Sequence, residues 1–278
     1  MAFVEAEGTR VLVDAGLSKE EIVTRLGAAT GATLEEIDAV LVTHDHADHA
    51  GCAPALGRPI YTTEGTRQAR AWDGTHRVRS GERIPIGALE IHPVLLPHDG
   101  VETVGYVLEA AGTRVGILTD CGHDAPDVAR AFAGCDVLVL EANHDLVMLR
   151  HGPYPNSLRR RVAGRLGHLS NDQAASLVRM MCREAAAPRL VVVAHLSQAN
   201  NRPQLAKSAI DRALGREVGA GRRVIVASQV RPTPMIVIEN GRVSWAPDPL
   251  TPELEGDSLP RARQLSFDFA ARPRPEPA

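Results

Sequence analysis

The sequence predicts an α/β fold, a sandwich of sheets flanked by helices. Three observations carry this: many short β-rich runs, amphipathic helical patterns between them, and a composition able to fill a core. The chain has 278 residues, enough for one large domain or two small ones. Hydrophobic residues make up 44% and charged residues 23%, an ordinary globular balance. Aromatics are 3%, so Val, Leu, Ile and Ala must build the core.

The strands are read from apolar runs bounded by Gly, Pro or charge: "RVLVD", "AVLVTH", "RPIYTT", "LEIHPVLLPH", "VGYVLEA", "RVGILTD", "DVLVLEAN", "RLVVVAH", "RVIVAS" and "MIVIENGRVSW". A Gly-containing turn inside "YVLEAAGTRVGIL" predicts a hairpin. "SKEEIVTRLGA" predicts a helix with Ser18 as N-cap and Glu21 closing a capping box. "SNDQAASLVRMMCREAA", capped by Ser170, and "RPQLAKSAIDRAL" predict two more. Strands interleaved with helices favour layered packing.

Net charge is −3, which excludes a strongly basic nucleic-acid coat but permits a local basic patch. The four cysteines are scattered without a CxxC pair, which argues against a disulfide framework and for a reducing compartment. With no long apolar run and no signal-peptide pattern, the expectation is a soluble, cytoplasmic protein. After Trp245 seven of the 19 prolines fall in 33 residues. Pro breaks helices and cannot donate to a ladder, so residues 1–245 are read as the catalytic domain and 246–278 as a flexible tail.

The chemistry concentrates in "LVTHDHADHAG". A β-branched run ends at Thr43, and His44, His46, Asp48 and His49 follow within six residues. Imidazoles and carboxylates on a loop at a strand end can converge on a divalent cation, and the alternating spacing lets one loop serve two ions. "THDHADH" resembles the HxHxDH signature of the metallo-β-lactamase fold, an αββα four-layer sandwich. The resemblance implies that His44, His46 and His98 ("LLPHD") hold one metal, and that Asp48, His49 and His195 ("VVVAHLS") hold a second. It also implies that Asp120 ("GILTDCG") bridges both and that Asp14 ("VLVDAG") braces the ligand loop.

"LEANHD", "YPNSLRRRVAGRLGHLSND" and "AHLSQANN" resemble the YycJ/WalJ branch of exonucleases, over roughly Val11 to Leu214. Members of that branch usually begin with a strand and a Ser/Gly-rich turn ahead of the equivalent of "FVEAEGTRVLVDAG". Here the chain starts almost inside that hairpin, which implies a mis-called start or a missing first strand and an unpaired sheet edge. The short interval from Asp120 to His195 has no room for the β-CASP insertion of RNA-processing relatives, which implies an open site.

The expected activity is metal-dependent phosphodiester hydrolysis, with two divalent ions, Zn²⁺ or Mn²⁺, acidifying a bridging water and neutralising phosphate charge. Asp48 and Asp120 serve that centre, and His144 and His168 are candidate proton donors. Asp145 is a candidate to orient one of them. The cluster Arg159, Arg160, Arg161, with Arg165 beyond it, suggests contact with a nucleic-acid backbone, probed by Ser197 and Asn200 as further hydrogen-bonding candidates. DNA exonuclease activity is the first reading. The alternatives are a small-molecule phosphodiesterase, a glyoxalase II-like thioester hydrolase, or a regulatory binding protein with a structural metal site.

In the tail, "QLSFDF" resembles the bacterial sliding-clamp-binding peptide through Gln264, Leu265 and Phe269, with Phe267 where Leu is more usual. A short motif of spaced apolar anchors can insert into a groove on a partner. The expected partners are therefore DNA and a sliding clamp that concentrates the enzyme on it.

Overall fold

The computed structural model describes residues 1–215, 223–239 and 242–245. The clamp-like segment and the expected domain boundary after Trp245 lie outside the described residues. Two sheets stand face to face. The first runs β1 (Ala2–Ala6), β2 (Thr9–Val13), β3 (Ala39–Leu41), β4 (Ile60–Thr63), β5 (His76–Val78) in that spatial order. β1 is its edge and pairs antiparallel with β2, from Ala2 opposite Val13 to Ala6 opposite Thr9, while β2 to β5 are parallel.

The second sheet contains β6 (Ile84–Ile86), β7 (Leu89–Leu95), β8 (Val104–Ala110), β9 (Thr113–Leu118), β10 (Val137–Glu141), β11 (Leu190–Ala194) and β12 (Arg223–Val226), in the order β12-β11-β10-β9-β8-β7-β6. β6 to β9 form an antiparallel meander, and β9 to β12 are parallel. The predicted hairpin is β8–β9, closed between Ala110 and Thr113. "MIVIENGRVSW" is two strands, β13 (Ile236–Glu239) and β14 (Arg242–Trp245), in a separate two-stranded sheet.

Helices coat both outer faces. They are α1 (Lys19–Thr30), α2 (Ala47–Ala50), α3 (Glu64–Ala69), α4 (Pro126–Phe132), α5 (Leu146–His151), α6 (Asn156–Val162), α7 (Asn171–Glu184) and α8 (Pro203–Leu214). Side chains alternate across each strand. Val11 and Val13 of β2 and Leu41 of β3 point inward, meeting Ile91, Tyr106, Leu108 and Ile117 of the other sheet. Leu12 and Val40 point outward onto Ile22 and Leu26 of α1. On the far side Leu138, Leu140, Val191 and Val193 pack under α4, α7 and α8 through Phe132, Leu177, Val178 and Ile210. The four layers αββα follow. Tyr106 also ties the sheets directly, its buried hydroxyl donating to the carbonyl of Val42 at 2.8 Å.

The caps match expectation with one difference. Ser170 and Gln173 form the reciprocal box of α7. Ser18 accepts from the Glu21 amide, but the Glu21 carboxylate turns forward to Arg25 instead of back to the cap. An arginine one helical turn on competes for that carboxylate.

The second sheet uses small residues to seat one ring. A Cβ on Gly105 or Gly116 would come within 2.9 or 2.8 Å of Phe132, which is 1% exposed. Phe132 thus fixes α4, and with it the loop after Asp120. Replacing it by Ala leaves a cavity over two glycines that cannot fill it. The expected cost is about 3–5 kcal/mol, read as a lower urea midpoint with unchanged slope.

Candidate metal centre

Each ligand candidate leaves a strand at its C-terminal end. Asp14 follows β2, the His44 loop follows β3, Asp120 follows β9, and His195 follows β11. Asp14, Asp120 and His195 each have positive φ, 64°, 60° and 56°. For non-glycine residues this left-handed region costs of order 1–3 kcal/mol and collects at functional sites. The kink ends the ladder and turns the side chain off the sheet toward the cleft.

The side chains converge as two groups. His44, His46 and His98 present ligand atoms within 4.8 Å of one another, as do Asp48, His49 and His195. Asp120 lies between them. One oxygen is 3.1 Å from His49 Nε2, and the other is 3.6 Å from His195 Nε2 and 3.7 Å from His98 Nε2. Asp48, with its side chain 71% exposed, is the most open of the set, 3.6 Å from His49 Nε2.

The Nδ1 atoms are anchored outside the centre. His44 Nδ1 meets Thr43 Oγ1 at 2.9 Å, and His49 Nδ1 meets Asp14 at 2.8 Å. His98 Nδ1 donates to the Gly167 carbonyl at 2.8 Å, and His195 Nδ1 meets Glu141 at 2.9 Å. Fixing Nδ1 selects the tautomer that offers Nε2 inward. His44 Nε2, His98 Nε2 and one Asp120 oxygen are buried without any hydrogen-bond partner. Buried polar atoms are rarely left so, and orphaned acceptors converging on one point are what a divalent cation satisfies. The donor set therefore fits divalent metal.

Electrostatics agree. Burial pushes His44 down to about 3, keeping it a neutral ligand. Burial alone would raise Asp120, but His195, His49, His44 and His168 hold it well below the usual carboxylate range. Burial also opposes ionised Asp14, and the His49 contact outweighs it. Asp14 further accepts from the Thr43 amide and hydroxyl, both at 2.9 Å, so it braces the first residue of the ligand loop. Gly16 completes that brace: a Cβ there would sit 1.7 Å from the Asp48 carbonyl oxygen.

Two acidic residues that drew no notice in the sequence organise the rest. Glu141, the last residue of β10, is fully buried. One oxygen takes Nδ1 of both His168, at 2.7 Å, and His195; the other accepts from the amides of Cys121 and Leu169. With four donors upon it, Glu141 acts as a brace. Its signal was the strand-end pattern "VLVLEAN", the same pattern that flagged Asp14, Asp120 and His195. Asp99, beside His98, lies 3.6 Å from His46 Nε2 and grips Arg161 through two bonds of 2.6 and 3.1 Å.

The remaining candidates divide. His168 joins the centre, 3.4 Å from Asp120. His144 does not: it is 1% exposed, belongs to none of the ligand groups, and burial lowers it to about 4. Asp145 caps α5 through the Met148 amide and does not orient a histidine. Ser197 and Asn200 bond to each other, and Asn200 is fully buried beneath Gly152, so its side chain faces protein. Arg161 reaches the centre through Asp99, whereas Arg159 turns away to the Arg150 carbonyl and Asn156. Cys121 is a buried thiol pushed up to about 12 by burial, and is inert.

A model of the β-lactamase superfamily domain matches residues 9–195. The chain is 29% identical to exodeoxyribonuclease YycJ of Bacillus anthracis over 232 residues, 77% of this chain and 84% of the relative. It is 32% identical to exodeoxyribonuclease WalJ of Streptococcus pneumoniae over 218 residues, 73% of this chain and 80% of the relative. The chain belongs to this superfamily, in its YycJ/WalJ branch. Among solved structures, the metallo-β-lactamase fold protein YhfI of Bacillus subtilis aligns with a TM-score of 0.59 at 16% identity, covering 81% of this chain and 87% of that one. A diphosphatase of the PhnP family aligns at 0.56 and 21% identity, covering 83% and 80%. These likenesses show the fold. Membership makes the protein a hydrolase of the superfamily, and the fold implies divalent metal at the histidine clusters.

Glu141→Gln keeps the shape but removes the charge that orients His195. The expected result is a 10–100-fold weaker hold on metal, measured by competition with a chromogenic chelator, with secondary structure retained by circular dichroism.

Proposed function

We propose that the protein is a two-metal phosphodiesterase acting on DNA as an exonuclease. The observation that carries this reading is Asp120, a buried carboxylate reached by both histidine groups. His44, His46 and His98 would hold one ion, Asp48, His49 and His195 the other, and Asp120 both. Divalent ions bound there supply Lewis acidity toward a phosphoryl oxygen and an acidified water, and both Zn²⁺ and Mn²⁺ suit mixed imidazole and carboxylate donors. The exodeoxyribonuclease names of its relatives and the arginines of α6 favour DNA over a small diester.

The residues around the centre take the remaining roles. Glu141 fixes His168 through Nδ1, leaving Nε2 for the substrate side. Burial disfavours a charged His168, but Glu141 and Asp120 outweigh it and raise its affinity for a proton. That shift toward the acid form suits it to protonating a leaving 3′ or 5′ oxygen. Asp99 fixes Arg161 at the rim, where its guanidinium can meet a phosphate. The setting of this activity is the cytoplasm, with Gln264, Leu265, Phe267 and Phe269 engaging a sliding clamp.

End-labelled single- and double-stranded DNA and RNA, incubated with Mn²⁺ or Zn²⁺, test the reading. DNA should shorten from an end, and Asp120→Ala should abolish this; cleavage that survives in that variant sinks the mechanism. His168→Ala should lower kcat on DNA by about 10²–10⁴. It should hardly affect a bis(p-nitrophenyl) phosphate, whose leaving group needs no proton. Equal losses on both substrates would remove His168 from the acid role.

A further inference from the structure

Around α5, α6 and the N-terminal end of α7 lies a groove whose two halves differ in charge. The first is a cavity of about 330 Å³ at the N-terminal end of α7, lined by His144, Asp124, Asp172 and Ser176 among others. The second, of about 310 Å³, lies between α5 and α6, with Leu149 on its floor and Arg150, Arg159 and Arg160 on its wall. Leu146 and Ala163 line both, so the halves adjoin.

His144 is the unexplained group. It is 1% exposed, yet its buried Nδ1 has no partner. A buried polar atom without a partner calls for a ligand or water. Asp124 and Asp172 repel a phosphate from this half and instead accept from N–H groups. The other half has the opposite character. Arg150, Arg159 and Arg160 have no acidic partner among the described residues, unlike Arg161. Guanidiniums with no carboxylate to neutralise them, Arg159 being held only by the Arg150 carbonyl and Asn156, attract phosphate along a groove. Leu146, 51% exposed, adds an apolar surface at the junction.

A nucleotide has this distribution of chemistry: an N–H-bearing edge, flat apolar faces and an anionic link. The groove is also next to the reaction along the chain. Asp124 is four residues beyond Asp120, Ser170 two beyond His168, and a β-bridge joins Ser170 to His144. We propose that this groove holds a nucleotide of the substrate strand flanking the scissile phosphate, base in the His144 cavity and phosphate on Arg159 and Arg160. The inference rests on the nuclease reading and deepens it. It assigns His144 to strand binding rather than to proton transfer.

The test uses the full chain with Mn²⁺ and a fluorescent, phosphorothioate-protected single strand, with binding followed by anisotropy. A single abasic step is moved along the strand one position at a time. Ser176→Leu fills the cavity without touching the metal ligands. In the parent, one abasic position should weaken binding roughly tenfold, the worth of one lost base contact. In Ser176→Leu that position should bring no further loss. Arg160→Glu, a fully surface change, should weaken every strand and flatten the salt dependence. If abasic losses are the same in parent and Ser176→Leu, or if Arg160→Glu binds like the parent, the groove assignment fails. Cleavage of an unprotected strand is followed in parallel. A parent that binds in this pattern without cleaving sinks the nuclease reading and leaves the groove standing. A parent that cleaves, with KM unmoved in both variants, sinks the groove alone.

Discussion

Asp120 is a carboxylate 2% exposed, surrounded by imidazoles, with one oxygen lacking any hydrogen bond. An isolated buried charge is costly, and it persists where cations or fixed donors compensate it. Much of the site can be understood as arrangements that aim compensation at this oxygen pair. Six histidines stand with their Nε2 or ring edges toward it or toward one another, with centroids 4.3–5.6 Å apart. Histidines crowded in this way would repel if all were protonated. Burial therefore works against their charge, and carboxylates set behind them work for it. Which side wins at each ring depends on whether its Nδ1 faces a hydroxyl, a carbonyl or a carboxylate.

That division has a structural source. His44 rests on Thr43 and His98 on a carbonyl, both neutral acceptors. His49 and His195 rest on Asp14 and Glu141. Burial drives His44 and His98 downward, whereas the carboxylates carry His49 and His195 upward. The two halves of the centre thus differ in ligand basicity, although both are built from imidazole. A carboxylate behind a ligand raises its basicity and its hold on metal. The fold supplies this asymmetry through strand ends, because Asp14 directly follows β2 and Glu141 ends β10, one from each sheet.

The strands were legible because apolar alternation, Gly and Pro punctuation and strand-end polar residues are local signals; the four-layer arrangement came from the resemblance, and the spatial order of the strands was not read at all. The seven ligand candidates were legible for the same reason, helped by the resemblance of "THDHADH" to a known signature. Glu141 and Asp99 were not, because their importance comes from partners 27 to 62 residues away in sequence. The strand-end pattern marks the position of Glu141, but not that its carboxylate holds two histidines. The arginine cluster shows the converse error. Arg159, Arg160 and Arg161 are consecutive and read as one patch, but successive helical positions point about 100° apart. Arg161 faces Asp99 and the cleft, while Arg159 faces α5.

His144 marks the same boundary between pattern and packing. "EANHD" places it among functional-looking residues, and proton donation is the usual role for such a histidine. In the fold Glu141 accepts from His168 and His195, while His144 pairs through its backbone with Ser170 and has no hydrogen bond to Glu141's carboxylate. A proton donor needs a neighbouring charge to keep its proton near neutral pH. His168 has two carboxylates for this, while His144 has burial working against it and falls to about 4. A neutral buried imidazole with a free nitrogen is suited to recognition by hydrogen bonding, not to acid catalysis. On the proposed reading, two histidines 24 residues apart in one chain would divide acid catalysis from binding by which of them Glu141 reaches.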